Sequence, residues 1–292
     1  MKKILITGSN GFIGSVLLSE LKTLNFKIYT ISRSNISSKL NLRGNLFDCQ
    51  FVSKSLNEIK PNIIIHLAWE TTPGLFYNSQ NNQKWSKRTI EFIDEFYSLG
   101  GSKFIFMSTC EEYGSFENKN KPNELTICKP ISNYGIQKHK VSSYLSKNYH
   151  EKKWIILRNY FVSGIDEKNE KLISYMVNKL INKKPIILKR PNDIIDIIDV
   201  RDVTKIIKNL IKIDYSGILN IGTSFESSPI QLAKKLVKLY GSGEIIIDKN
   251  FDYTGTNKYI VSNNSKLINN LKLKTKYTVD DILETILEKH YV

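Results

Sequence analysis

Residues 7–14 read Thr7-Gly8-Ser9-Asn10-Gly11-Phe12-Ile13-Gly14 and lie between an apolar run, Ile4-Leu5-Ile6, and a stretch with helical periodicity. A strand that passes this abruptly into a helix needs Gly8 for the tight turn, Gly11 for close approach of the backbone to a ligand, and Gly14 for packing of the helix on the strand. The first turn of such a helix has free N–H groups and the positive end of the helix dipole, which suits it to a pyrophosphate. Gly8, Asn10, Gly11, Phe12 and Ile13 are therefore candidate contacts to a dinucleotide. A glycine-rich turn without a ligand is the competing explanation, and the flanking strand and helix argue against it.

The same alternation continues downstream. Strands are expected at 3–7, 27–31, 62–68, 103–108 and 154–157, with helices at 12–24, 80–99 and 133–149 between them. Near-continuous apolar strands separated by amphipathic helices describe a parallel sheet covered on both faces. Beyond Arg158 the pieces shorten: a helix at 171–182, strands at 186–188 and 194–198, a helix from 202, a strand at 218–221, and helices at 229–240 and 279–289. A chain of 292 residues suits one main domain with a smaller appended lobe. The expected division gives residues 1–160, with 194–221 returning to the sheet, to a dinucleotide-binding domain, and 161–193 with 222–292 to a substrate-binding lobe. A long polar loop spans 114–130, where function or mobility concentrates.

The net charge of +15 raises the question of nucleic acid, but only six basic residues are arginine, and the 37 lysines scatter from Lys2 to Lys289. A backbone-binding surface would gather them on one face. An anionic small substrate accounts for the charge better, and no nucleic-acid partner is expected. Cys49, Cys110 and Cys128 are odd in number and show no metal-ligand spacing, so reduced thiols and no metal are expected. The longest apolar runs, such as 63–68, fall far short of the ~20 residues of a membrane span. No signal-peptide pattern follows Met1-Lys2-Lys3. These features lead to the expectation of a soluble cytoplasmic protein.

Two further groups carry chemistry. The second strand ends Ile31-Ser32-Arg33-Ser34, with no carboxylate to bind a ribose 2′-hydroxyl. Arg33 in that place favours NADP(H), with NAD(H) left open and a merely solvated Arg33 as the alternative. Tyr134 and Lys138 stand four residues apart on one face of a helix. A cation fixed beside a phenol is expected to lower its pKa towards neutrality and ready it for proton exchange. Thr109 ends the strand before them, at the carboxyl edge where open α/β sheets bind ligands.

With these motifs in view, the chain resembles the extended short-chain dehydrogenase/reductase family, the group of nucleotide-sugar epimerases, dehydratases and ketoreductases. Thr7–Gly14 resembles its TGxxGxxG loop, Tyr134/Lys138 its YxxxK pair, and Thr109 its catalytic Ser/Thr ahead of a Tyr-Gly turn, here Tyr113-Gly114. Ile65-His66-Leu67-Ala68, Asp196–Val203 and Leu219-Asn220-Ile221-Gly222 resemble three more of its segments. The resemblance implies a Rossmann-type doubly wound parallel sheet with a smaller C-terminal α/β lobe. It also implies a cofactor lined by Asn45, Leu46, Leu67 and Ala68 together with Tyr134 and Lys138, and a homodimer. Trp69, Cys110, Glu111, Asn159 and Arg190 are the candidate contacts to a nucleotide-diphosphate sugar. Arg190 lies in a basic segment that reads equally as a solvated lysine face, and Glu111 and Glu112 read equally as loop charges.

Two departures bear on the reaction. Cys110 stands where the family's 4,6-dehydratases carry an acid, which disfavours dehydration. Phe161 stands where the family often places an Asn that touches the sugar diphosphate, as in some reductase members. The resulting expectation is NADPH-dependent reduction of a nucleotide-activated 4-keto-6-deoxy sugar. The alternative is a nucleotide-sugar 4-epimerase with tightly bound NAD, and a non-catalytic dinucleotide-binding protein comes third.

Overall fold

The computed structural model describes residues 1–34, 40–72, 74–114, 120–167, 169–249 and 258–289. Along the chain run β1 (Lys3–Thr7), α1 (Phe12–Leu21), β2 (Lys27–Ser32), β3 (Asn41–Arg43), α2 (Cys49–Ile59), β4 (Ile63–His66), α3 (Asn81–Ser98) and β5 (Lys103–Thr109). A 3-10 turn (Cys110–Tyr113) leads towards α4 (Asn133–Asn148), β6 (Lys153–Asn159), β7 (Phe161–Ser163), α5 (Leu172–Ile181) and β8 (Ile186–Leu188). Then follow β9 (Ile194–Ile195), β10 (Ile197–Asp199), α6 (Val200–Lys212), β11 (Gly217–Ile221), α7 (Pro229–Tyr240), β12 (Ile245–Ile247), β13 (Tyr259–Ile260) and α8 (Val279–Glu288). Residues 115–119 of the long loop at 114–130 lie outside the described residues.

The chain divides into two compact units: Met1–Gly114 with Ile127–Asn159 and Thr204–Leu219, and Ser115–Thr126 with Tyr160–Val203 and Asn220–Val292. The first is built on a seven-stranded sheet of order β11-β6-β5-β4-β1-β2-β3, a Rossmann-type doubly wound arrangement. Its pairings from β3 through β6 are parallel. Every residue of β4 and β5 is buried, which explains their apolar runs at 63–65 and 104–107. Phe92 and Phe96 of α3 and Val141 and Leu145 of α4 join Ile64, Phe104 and Ile156 of the sheet in one core. At the other end of β5, the buried Lys103 donates to the carbonyls of Leu210 (3.1 Å) and Ile213 (2.7 Å), fastening the end of α6 to the sheet edge. A cation there also complements the helix dipole.

Two elements of this unit carry weak sequence patterns and were not expected. Helix α2 starts at Asp48, whose carboxylate accepts from Phe51 N at 3.0 Å, and buries only Val52, Ser55, Leu56 and Ile59. Strand β3 is three residues long with none fully buried, too short for alternation to register.

In the second unit the strands pair in twos: β10 with β7, β8 with β12, and β9 with β13. Residues 194–198 were expected as one strand returning to the large sheet. Instead Asp196, fully buried, splits them. Its carboxylate accepts from Thr223 N (2.8 Å), Thr223 Oγ1 (2.6 Å), Ser224 N (2.9 Å) and Ser262 N (3.1 Å). A carboxylate so surrounded fixes a local junction, and β9 and β10 diverge on either side of it. Of the stretch 194–221, β11 is the strand that joins the large sheet. Helices α5, α7 and α8 supply this unit's core through Met176, Leu180, Leu232, Leu236 and Leu283.

Candidate active site

The sheet order reverses between β1 and β4, where ligands of open α/β sheets bind. Both strands end there in sequence-expected residues. Gly8 has φ +73°, and a Cβ on it would meet Ala68 N at 2.7 Å. A Cβ on Gly14 would lie 2.1 Å from Gly8 O, so only glycine lets α1 start this close to the loop. Helix α1 begins at Gly11 with no side-chain cap, leaving its first N–H groups for a ligand. Ser9 Oγ is buried with no hydrogen-bond partner among the described residues. An orphaned hydroxyl beside uncapped amides is what a pyrophosphate would satisfy, so the residues present fit a dinucleotide.

The remaining cofactor candidates surround this turn. Asn10 Nδ2 donates to Ser34 Oγ at 2.6 Å, tying the loop to the end of β2 beside the exposed Arg33. Leu67 N donates to Thr7 O (3.2 Å), and Ala68 N lies 3.4 Å from Thr7 Oγ1. Phe12 and Ile13 open α1 and are half-buried. Leu46 is buried, its carbonyl accepting from Arg88 Nε at 2.6 Å, while its neighbour Asn45 is exposed.

Helix α4 delivers the Tyr/Lys pair. Its N-cap Ser132 accepts from Gly135 N at 3.0 Å and donates to Glu111 Oε2 at 3.2 Å, which locks the helix start to the turn after β5. Tyr134 N donates to Tyr77 O (2.9 Å), and the phenol ring meets Phe76 edge-on at 4.9 Å. The Tyr134 hydroxyl and the Thr109 side chain lie close enough to interact. Thr109 Oγ1 in turn accepts from Glu111 N at 3.2 Å. One turn along, Lys138 donates to Met107 O at 2.6 Å. Its ammonium lies 4.0 Å from the centroid of the Trp69 ring and 4.7 Å from that of Phe106. Trp69 is itself held by donation from Nε1 to Asn82 Oδ1 at 2.8 Å.

The electrostatics differ from the sequence expectation. Burial pushes the Tyr134 phenol up, and the nearby Cys110 pushes the same way; the nearby Thr109 side chain only partly opposes them. The Lys138 ammonium, 5.8 Å from the Tyr134 ring centroid, faces the Met107 carbonyl and the Trp69 ring, and its charge does not outweigh burial at the phenol. Burial lowers Lys138 itself to about 7, against the charge of Glu112. His66, hydrogen-bonded to Thr7 (2.8 Å) and Thr89 (3.1 Å), is lowered to about 3, first by burial and then by Lys138 and Arg88. It is a neutral core histidine.

Cys110 is buried and Glu111 half-buried, both in the 3-10 turn that also bears Thr109 as its cap. Asn159 pairs across the sheet with Thr109, and its Oδ1 is buried without a hydrogen-bond partner among the described residues. Arg190 belongs to the second unit, where its Nη2 donates to Asp193 Oδ1 at 2.8 Å.

Sequence reasoning passed over Glu112, treating it as an equal candidate for a loop charge. Its side chain is fully buried and ion-paired to Arg158 at 3.0 Å. A clue was available in Ile155-Ile156-Leu157-Arg158, since an arginine ending an apolar central strand needs a buried counter-charge. Donor atoms of Glu112, Cys128 and His139 come within 4.8 Å of one another, but Arg158 on the same carboxylate opposes a cation there.

Fold and site together define a dinucleotide-dependent, Rossmann-type oxidoreductase. The chain belongs to the NAD-dependent epimerase/dehydratase family, whose model matches residues 4–222. It is 30% identical over 275 residues to a dTDP-D-glucose 4,6-dehydratase of Dictyostelium discoideum, a match covering 82% of this chain and 62% of that longer protein. It is 27% identical to a GDP-6-deoxy-D-talose 4-dehydrogenase of Aggregatibacter actinomycetemcomitans, over 99% of this chain and 97% of the relative. Among solved structures, a UDP-glucose 4-epimerase of Thermotoga maritima with UDP-glucose shares the fold with a TM-score of 0.87 at 21% identity, over 99% of this chain and 98% of that one. Among the described residues, no helix is long and apolar enough to cross a membrane.

Proposed function

We propose that the protein reduces a nucleotide-activated 4-keto-6-deoxy sugar to the corresponding deoxysugar, with NADPH as reductant. The observation that carries this reading is the gathering of Thr109, Tyr134 and Lys138 within one unit, at the end of the sheet that holds the open glycine turn. When bound, the reduced nicotinamide supplies the hydride for the carbonyl carbon. The protein's own side chains manage the carbonyl oxygen. Thr109 hydrogen-bonds it and polarises the carbonyl. Tyr134 gives up its phenolic proton as negative charge develops there. A phenol held up by burial stays protonated near neutral pH, and the sugar alkoxide is basic enough to take that proton. Lys138 orients the ribose, and its positive charge offsets the phenolate left behind.

Three observations favour reduction at C4. Cys110 stands where the resemblance places the acid that the 4,6-dehydratases use to eliminate a hydroxyl. A relative that matches nearly end to end is named as a 4-dehydrogenase of a 6-deoxy sugar. The end of β2 offers Arg33 and no carboxylate, which suits a 2′-phosphate and a cofactor exchanged at each turnover.

The test is a spectrophotometric screen of dTDP-, CDP- and GDP-linked 4-keto-6-deoxy sugars with NADPH and NADH. NADPH consumed in proportion to product is the expected result. NAD that copurifies with the protein, together with no consumption of NADPH, identifies an epimerase instead.

A further inference from the structure

Glu112 sits one residue before Tyr113, in the turn that follows Thr109, and is the centre of a buried polar cluster separate from the Thr109–Tyr134 contact. One carboxylate oxygen accepts from the Ser108 hydroxyl and from Ser142 Oγ, the latter at 2.6 Å. The other accepts from Arg158 Nε (3.2 Å) and Nη2 (3.0 Å) and faces His139 Nδ1 at 3.1 Å. The Arg158 guanidinium lies over the Tyr113 ring, 4.5 Å from its centroid.

The placement of these partners is informative. Ser108 immediately precedes Thr109 on β5, His139 immediately follows Lys138 on α4, and Ser142 lies one turn beyond. A single carboxylate therefore joins the chain neighbours of two active-site residues to each other and, through Arg158, to β6. A well-packed apolar group would hold the same elements together at no greater cost in stability, because burying an ion pair spends much of its attraction on desolvation. What a hydrogen-bonded carboxylate adds is one fixed geometry.

We propose that Glu112 is a positioning residue, fixing the register of α4 against the Thr109 end of β5 so that Lys138 is held where it meets the cofactor. The proposal rests on the functional reading above for the role of Lys138. Electrostatics point the same way, since burial lowers Lys138 and the charge of Glu112 opposes that loss. Of the titratable and charged groups, Glu112 in the turn, His66 on β4 and Tyr134 on α4 lie near Lys138, while Cys110 and Glu111 face Tyr134, Arg88 faces His66, and His139 and Arg158 share the Glu112 carboxylate. Among these acids, Glu112 is the one bonded into α4 beyond Lys138.

A double-mutant cycle on NADPH binding, followed by cofactor fluorescence in the full-length protein, tests this. Glu112→Gln is expected to weaken NADPH binding about tenfold, and to add nothing further once Lys138→Met is present. Should Glu112→Gln fail to fold, His139→Leu with Ser142→Ala takes its place in the cycle, because it cuts the ties to α4 and leaves the Glu112–Arg158 pair intact. Losses that add to that of Lys138→Met, or no loss at all, overturn the proposal while leaving the functional reading in place. A wild-type protein that binds neither NADPH nor NADH overturns both.

Discussion

The ammonium of Lys138 lies 4.0 Å from the centroid of the Trp69 ring while donating to the Met107 carbonyl at 2.6 Å. Trp69 follows β4 and Lys138 belongs to α4, so this contact joins the strand end beside the glycine turn to the helix that carries Tyr134. A cation over an indole face gains about 0.5–2 kcal/mol, more where water is excluded. Trp69→Leu is expected to lower kcat about tenfold through misplacement of Lys138. Trp69→Phe keeps a ring and should retain most of the activity, although it loses the bond to Asn82. Steady-state kinetics of the two variants side by side separate the ring from the hydrogen bond.

At Gly14 there is no room for a side chain, since an added Cβ would fall 2.1 Å from Gly8 O. Gly14→Ala must push α1 away from the loop, at a cost of about 1–3 kcal/mol in stability. NADPH affinity should fall with it, because the amides of α1 leave their position. Calorimetry and a fluorescence titration of the same preparation report the two losses.

Arg33 is exposed next to the Asn10–Ser34 bond, at the end of β2. If it reads a 2′-phosphate, Arg33→Ala removes a charged hydrogen bond of about 1.5–3 kcal/mol from NADPH binding and leaves NADH binding unchanged. The ratio of the two dissociation constants is the quantity to measure. An equal effect on both cofactors would assign Arg33 to the solvated surface.

Hydrogen bonds to Cys128 and Glu112 raise His139 from 6.5 to about 9. A histidine whose folded-state pKa is raised contributes stability that is complete below its unfolded value and is lost as pH rises through the folded one. Wild type should therefore exceed His139→Gln in stability by most near about pH 6, with the gap closing towards about pH 9. Lys138, lowered by burial to about 7, tends to raise stability with pH above that value; being common to both proteins, it cancels in the difference. Urea unfolding across this range checks the sign.

The large sheet was legible in the sequence because β1, β4 and β5 are buried on both faces and so carry unbroken apolar runs. The glycine turn and the Tyr134/Lys138 spacing were legible because backbone geometry dictates them. Pairing in the second unit was not legible. Strands such as Ile194–Ile195 and Tyr259–Ile260 are two residues long, and the buried Asp196 that separates β9 from β10 reads in sequence as one more charge. The direction of the Tyr134 shift escaped for a related reason. Spacing places a lysine near a phenol, but it does not reveal that the ammonium turns to Trp69 and Met107, nor how completely the phenol is buried. Glu112 was hidden because its partners come from β5, β6 and α4, far apart along the chain.

Replacing the Tyr134 hydroxyl by hydrogen is the most direct test of the chemistry. Once a 4-keto sugar substrate is identified, Tyr134→Phe should bind NADPH as wild type does and lose about 10²- to 10⁴-fold in kcat, the ordinary worth of a positioned proton donor. Turnover undiminished in Tyr134→Phe would contradict the role assigned to that hydroxyl and, with it, the proposed reduction.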